Sequence, residues 1–348
     1  MTSLDSAKVH TKSSPQIAAD GLNKWLRCGI ILQDPLIILS SASKKFKWGM
    51  LGCAGLQPQL FTKRKSLHLI SFAYTAIPNV PRIIEDLRWA AVNLPLAHFC
   101  YLASDEEELY ALREAGVDTI MGNINIFADE KVFRPLPDGD APVRYDAVYD
   151  ARFSPPKNHY LCSEIKKLAL IYYSFQGMPD NEAEVRQILP HAHYINHEHG
   201  RGQYQKLSLK EVNVILNQSA VGLCLSHIEG AMRASIQYLL AGTPVVTVPS
   251  KGGRERFLLH PYAQLVKADT RCIALAVEKI KALNMPRAAV REYAATLISF
   301  ERRNFLQALN LRSRKIFGSS ANLNDFSVFF ESNIREHRPL KESLKPLL

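Results

Sequence analysis

The chain has 348 residues, 47% of them hydrophobic, and its 43 lysines and arginines outnumber its 33 acids to give a net charge of +10. That length suits two domains of ordinary size, and that apolar content excludes a disordered chain. With no run of about 18 apolar residues, no zinc-finger spacing and no RNP-like motif, neither a membrane span nor a nucleic-acid module is expected.

Residues 1–25 read as a polar lead-in without an apolar signal core. Apolar runs follow at Ile30–Leu39 and Leu67–Tyr74. Helical patterns cover Pro81–Val92 and Glu106–Ala115, the second opening on Ser104-Asp105 and closing on Gly116, and a strand is expected at Asp118–Met121. Strands alternating with helices predict an α/β domain over 26–136 with a Rossmann-like parallel sheet, short in length and without a glycine-rich loop after its first strand. Proline, glycine and aspartate crowd PLPDGDAP, which predicts a linker at 137–143. The alternation restarts over 144–318, with strands at Tyr145–Tyr149, Leu168–Tyr173 and His193–Ile195 and a helix opened by Ser208. Helices are also expected over Thr270–Ala282 and Ala288–Lys315, and a last one within 319–348, over Asn322–His337, crossing back onto the first domain.

Residues 221–258 are the most informative stretch. Val221–Leu225 and Val245–Val248 are short apolar runs bounded by turn signals, as in strands covered on both faces. Between them Ala231–Ala241 is helix-like, Gly242 supplies a stop and Pro244 cannot continue the helix. This strand–helix–strand unit places Glu229 and Gly252-Gly253 beyond strand C-terminal ends, the edge at which open α/β sheets bind ligands.

The same stretch resembles the nucleotide-sugar half of GT-B-fold glycosyltransferases, in the retaining group marked by two glutamates eight positions apart. The resemblance rests on Ser226, Glu229-Gly230, a helix carrying Gln237 where the family has its second glutamate, and Gly242-Thr243-Pro244-Val245-Val246. Asn125 to Pro135 is similar to the segment that leads into the family's second domain, and Arg152 and Lys157 occupy the places of its Gly-Arg…Lys pair, with Ala151 where the glycine stands. The resemblance implies two Rossmann-like domains with parallel sheets facing a cleft. It also implies metal-independent transfer of a hexose from a nucleoside-diphosphate sugar to a hydroxyl, with retention, in glycan or glycolipid synthesis and without a cofactor beyond the donor.

Such a reaction places growing negative charge on the leaving diphosphate, so fixed cations and backbone N–H donors aimed there do most of the work. Arg152 and Lys157 supply the cations. Met232, Arg233 and Gly230 stand at the start of the helix, whose N–H groups would point at phosphates. Glu229 would accept hydrogen bonds from the sugar, and Gly252 and Gly253 let backbone approach a ligand closely. Gln237, eight residues beyond Glu229, would meet the ribose about 12 Å along the helix. Exchanging a charged for a neutral hydrogen bond there costs about tenfold in affinity.

Each assignment has a plainer counterpart: a surface loop for Arg152 and Lys157, a residue near a helix N-cap for Glu229, a solvent-facing glutamine for Gln237 and a simple turn for the glycines. His191, His193, His197 and His199 fit no zinc spacing and read as loop histidines. Six scattered cysteines without a CxxC pair imply reduced thiols in a cytoplasmic protein. Two basic clusters, Lys44-Lys45-Phe46-Lys47 and Lys63-Arg64-Lys65, are either solvated faces or contacts for an anionic membrane or a phosphorylated acceptor. Two rivals to transfer stand beside it: a degenerate nucleotide-sugar-binding protein, and an epimerase on the same fold.

Overall fold

The computed structural model describes residues 22–137, 139–173, 181–258, 260–319, 321–331 and 337–348. Most of the polar lead-in, Asp138 of the linker and residues 332–336 of the expected closing helix therefore lie outside the described residues.

Two six-stranded sheets form the protein. The first holds β1 (Trp25–Gln33), β2 (Leu36–Ser41), β3 (Ser66–Ser71), β4 (Ala97–Ala103), β5 (Thr119–Met121) and, from the far end of the chain, β12 (His337–Pro339), in the order β12-β1-β2-β3-β4-β5. The second holds β6 (Tyr145–Asp150), β7 (Leu168–Ile171), β8 (His193–Tyr194), β9 (Ser219–Cys224), β10 (Val245–Thr247) and β11 (Ala263–Leu265), in the order β11-β10-β9-β6-β7-β8, with every pairing parallel. In the first sheet β2 to β5 are parallel, and β1 runs antiparallel to both β2 and β12. The run Ile30–Leu39 is thus a hairpin broken at Asp34-Pro35, not one strand. This is why no glycine-rich strand-to-helix loop follows the first strand.

Alternation along the first sheet sorts its side chains to two cores. Ile37, Leu39, Leu67, Leu69 and Leu102 face one way, and Leu36, Ile38, Ile70 and Tyr101 the other. The latter meet α1 (Val80–Asn93) and α2 (Glu106–Glu114). α2 starts where the Asp105 carboxylate accepts the Glu108 N–H at 2.8 Å, with three glutamates in its first turn, and the chain turns after it at Gly116 (φ +76°). In the second domain, α3 (Leu209–Asn217) opens on a reciprocal Ser208–Glu211 capping box. α4 (Arg233–Leu240) and α5 (Thr270–Leu283) cover the second sheet.

α6 (Arg287–Phe317) has 31 residues, about 46 Å of helix, and joins the two halves. Its first part packs on α4. Farther on, the Arg302 guanidinium donates to the carbonyls of Ile126 (2.8 Å) and Ala128 (2.6 Å), and Arg312 binds Asp118 beside β5. α6 thus reaches the first domain ahead of the Asn322–His337 segment, whose end returns there as well at β12. The later segment adds Phe326 and Phe329 to a cluster with Phe127 and Phe305, and β12 then pairs with β1.

Candidate functional site

The C-terminal edges of the two sheets face each other. Asn123, just past β5, donates to the carbonyls of Ser104 (2.8 Å) and Gly253 (2.9 Å), and Asn125 donates to Ala231 (2.7 Å). Buried Glu108 holds the first-sheet side of this junction by accepting the N–H groups of Ala76 and Ser104. The Asn125 segment thus clamps the domains as well as leading from one to the other.

Glu229 lies after β9 and Lys157 after β6, and the structure joins them. The Glu229 carboxylate takes the Lys157 ammonium and the Ser226 hydroxyl (2.6 Å), with side-chain exposures of only 9% for Glu229 and 12% for Lys157. Lys157 ends a short turn begun by Pro155-Pro156. Its carbonyl accepts the Tyr149 hydroxyl at 2.6 Å, and the next residue, Asn158, takes a left-handed conformation (φ 52°) and donates to Leu225 at 2.8 Å. Backbone on both sides of the ammonium is therefore fixed to β6 and β9.

A residue that sequence reasoning left unassigned completes this network. Arg254 is fully buried; it donates to the carbonyls of Ser226 (2.9 Å) and Val248 (2.5 Å) and to the Ser226 hydroxyl (3.3 Å). Its Nε is buried without a partner among the described residues. Arg254, Ser226, Glu229 and Lys157 form a continuous chain of charge-assisted contacts across the ends of β10, β9 and β6. In sequence, an arginine after Gly-Gly looks like a loop cation, and only its burial reveals the role.

The glycines act through close backbone approach. A Cβ on Gly252 (φ +107°) would lie 2.0 Å from the Glu229 carbonyl, and one on Gly253 (φ +84°) 2.5 Å from the Ser104 carbonyl. Gly230 meets the Ala73 carbonyl, which a Cβ would approach to 2.6 Å. The Glu229 N–H bonds Lys251 O at 2.9 Å, zipping the two loops together. These glycines thus bring the Glu229 loop, the Gly252-Gly253 loop and the first domain together.

Asp150 ends β6. Its N–H donates to the Tyr238 hydroxyl at 2.7 Å, and burial raises its carboxyl from 3.8 to about 6 against the opposing pull of Arg233 and Lys157. Arg152 stands half-buried two residues on. Met232, buried in a left-handed conformation (φ 46°), immediately precedes α4, whose first residue is Arg233. The helix begins two residues later than Ala231, so only one helical turn separates Arg233 from half-buried Gln237. The 12 Å helical reach from Glu229 to Gln237 does not hold, because Glu229 to Met232 are loop. Burial between Tyr149 and Phe153 lowers the nearby His159 imidazole to about 4.

His193 and His199 pair with Glu198 and Glu211, and His197 with Tyr172 and Glu182. His197 and His199 lie on a short helix, Ile195–His199, rather than in a loop. Among the described residues no group of three or more His, Cys, Asp or Glu is placed to hold a metal. Exposed His227 rests against the Asn158 amide, beside the network but outside it.

No family model and no curated protein sequence matches this chain. Solved structures do share its fold. The sucrose-phosphate synthase of Thermosynechococcus elongatus superposes with a TM-score of 0.50 at 18% identity, over 81% of this chain and 73% of that one. HepE of Anabaena, determined in complex with UDP and glucose, superposes with a TM-score of 0.51 at 14% identity, over 71% of this chain and 72% of that one. The architecture is thus GT-B, two Rossmann-like domains with parallel-dominated sheets facing a cleft. At these identities the fold is what is shared.

Proposed function

We propose that this chain is a glycosyltransferase that moves a hexose from a nucleoside-diphosphate sugar to a hydroxyl acceptor with retention. The observation that carries the reading is the buried Lys157–Glu229–Ser226–Arg254 network at the facing sheet edges. It holds a cation and a carboxylate side by side where an α/β fold binds ligands. Lys157, with Arg152 and Arg233, would take the diphosphate, and the first N–H groups of α4 would add to their field. Glu229, released from Lys157 by the incoming phosphates, would accept hydrogen bonds from the sugar. These cations do the work a metal does elsewhere, so the reading is of a metal-independent reaction that needs no cofactor beyond the donor. The leaving diphosphate would take the acceptor proton on the same face, while Gln237 would meet the ribose. Among the described residues no helix is long and apolar enough to cross a membrane. The reading places the protein in the cytoplasm, acting in glycan or glycolipid synthesis.

Gln237 favours a second reading, a relative that binds the nucleotide sugar without transferring it. Thermal unfolding with UDP, GDP, ADP and CDP, with and without magnesium, tests the site. A nucleotide at about 100 times its Kd stabilises by about 2.7 kcal/mol. A magnesium-independent shift lost in Lys157→Ala supports the site, and no shift from any nucleotide overturns it. Donor hydrolysis or transfer then separates the enzyme from the binder.

A further inference from the structure

The two basic clusters lie at opposite ends of the first sheet. Lys63-Arg64-Lys65 precede β3, where Arg64 donates to the Gln33 carbonyl. Lys44, Lys45 and Lys47 follow β2, on the cleft edge, and all three are exposed. Because β1 and β12 run antiparallel, each brings one end to the same rim, with Arg27 opposite His337 in register. Cations thus reach one rim from the loop after β2 and from β1.

The loop carrying the lysines is held in shape. The Ser43 N–H donates to Gly49 at 2.9 Å, and the Arg82 guanidinium donates to the carbonyls of Lys44 (2.8 Å) and Phe46 (2.5 Å). Aromatic rings are set among the charges. Lys24 lies 4.9 Å over Phe46, Lys47 lies 5.0 Å over Trp48, and Trp48 stacks on Trp89 at 4.7 Å. Trp25 is 54% exposed beside His337. Trp25 is the exposed tryptophan among these rings, whereas Trp48 and Trp89 pack partly buried against the core beneath the loop. The acids on adjoining elements are Glu85 and buried Asp86 of α1, the latter engaged with the Met50 N–H, and Glu342 after β12. Burial and the Arg27 and Lys45 cations hold the His337 imidazole below its ordinary value, consistent with a positive surface.

A soluble phosphate is gripped by convergent, shielded donors. Here three exposed lysines crowd one loop, half-buried Arg27 stands on the neighbouring strand, and exposed Trp25 lies beside them. Such a pattern fits a plane of many anions with an interfacial layer for aromatic rings. We propose that this rim of the first domain, built on Lys44, Lys45, Lys47, Arg27 and Trp25, docks the protein on an anionic lipid surface. The dock goes beyond sugar transfer and stands whether or not transfer occurs.

The test is flotation of the full chain with phosphatidylcholine vesicles, with and without phosphatidylglycerol, read alongside tryptophan emission. The protein should float only with phosphatidylglycerol vesicles, with emission moving to shorter wavelength, and rising salt should release it. Lys44→Gln, Lys45→Gln, Lys47→Gln together should lower partition roughly a hundredfold, the loss expected of three surface cations. The matched triple Lys63→Gln, Arg64→Gln, Lys65→Gln, with the same charge change at the other edge, should retain it. Equal loss in both triples, equal flotation on neutral vesicles, no flotation, or displacement by inorganic phosphate at unchanged ionic strength would overturn the dock; the last would assign the rim to a soluble phosphate. Nucleotide thermal shifts of both triples keep a failure of the dock distinct from a failure of the donor site.

Discussion

The Lys157 ammonium and the Glu229 carboxylate, 72 positions apart in sequence, are bound to each other at the ends of neighbouring strands β6 and β9, almost out of solvent. Removing one member of a shielded pair leaves the other uncompensated, at a cost of about 3–5 kcal/mol. Lys157→Met and Glu229→Gln should each lower unfolding stability, and the double variant should recover part of the loss. For turnover the pattern should differ: each single variant should lose at least about a hundredfold in kcat, with no recovery in the double. A double-mutant cycle read in both urea unfolding and turnover checks this. Full turnover in Lys157→Met, Glu229→Gln would remove both residues from the chemistry.

Arg254 holds the ends of β9 and β10 and orients Ser226 toward Glu229. Arg254→Met should cost about 2–4 kcal/mol, because two buried carbonyls and a hydroxyl lose their donor. Arg254→Lys should fall between, since an ammonium cannot span both carbonyls as a guanidinium does. If Arg254 positions Glu229, Arg254→Lys should also weaken donor binding at a temperature where it is fully folded. Unchanged nucleotide affinity in folded Arg254→Lys would leave it a purely structural clamp.

How much of this was legible beforehand follows from the range of the interactions. β6, β9, β10 and the helix between them show in the sequence because short apolar runs, Gly242 and Pro244 are local signals. Lys157 and Glu229 were singled out separately, and their contact did not show, because it depends on β6 and β9 lying side by side in the sheet order. Arg254 did not show, because its partners lie 28 and 6 residues upstream and nothing nearby marks it as buried. The hairpin within Ile30–Leu39 was hidden by apolar residues on both sides of Asp34-Pro35. The crossing by α6 was missed because the helix buries Val290, Ala294 and Ile298 in one domain and then turns Arg302 and Arg312 onto the other. No single periodic stripe announces two partners.

Gly253 joins the domains by letting its backbone meet Ser104. Gly253→Ala should destabilise through positive-φ strain of about 1–2 kcal/mol and through the clash a Cβ makes 2.5 Å from the Ser104 carbonyl. Gly318→Ala isolates the first cost, since φ is +81° and no atom lies within 4 Å of the added Cβ. Chemical unfolding of both should show Gly253→Ala the more damaging. Equal losses would mean that the domain junction yields without penalty.

Two groups, half-buried Asp150 and buried His159, pull the pH dependence of stability in opposite directions. Asp150 has its folded pKa raised from 3.8 to about 6, so its favourable contribution is complete below about 3.8 and is lost as pH rises through about 6. His159 has its folded pKa lowered from 6.5 to about 4, so its contribution is complete above about 6.5 and is lost as pH falls through about 4. Each shift corresponds to a few kcal/mol at most, on the order of 3. Wild type should therefore show a shallow profile between pH 4 and 6.5, where the two effects offset. Asp150→Asn should be the more stable protein at pH 8 and lose that advantage by pH 4, leaving a profile that climbs with pH. His159→Gln should give the opposite slope, falling as pH rises. Bound diphosphate would oppose the Arg233 and Lys157 cations that favour the Asp150 anion, pushing its pKa higher still. Nucleotide binding near pH 7 should then take up a proton, visible by calorimetry in buffers of different ionisation enthalpy and absent in Asp150→Asn. Binding without proton uptake in wild type would place the phosphates away from β6.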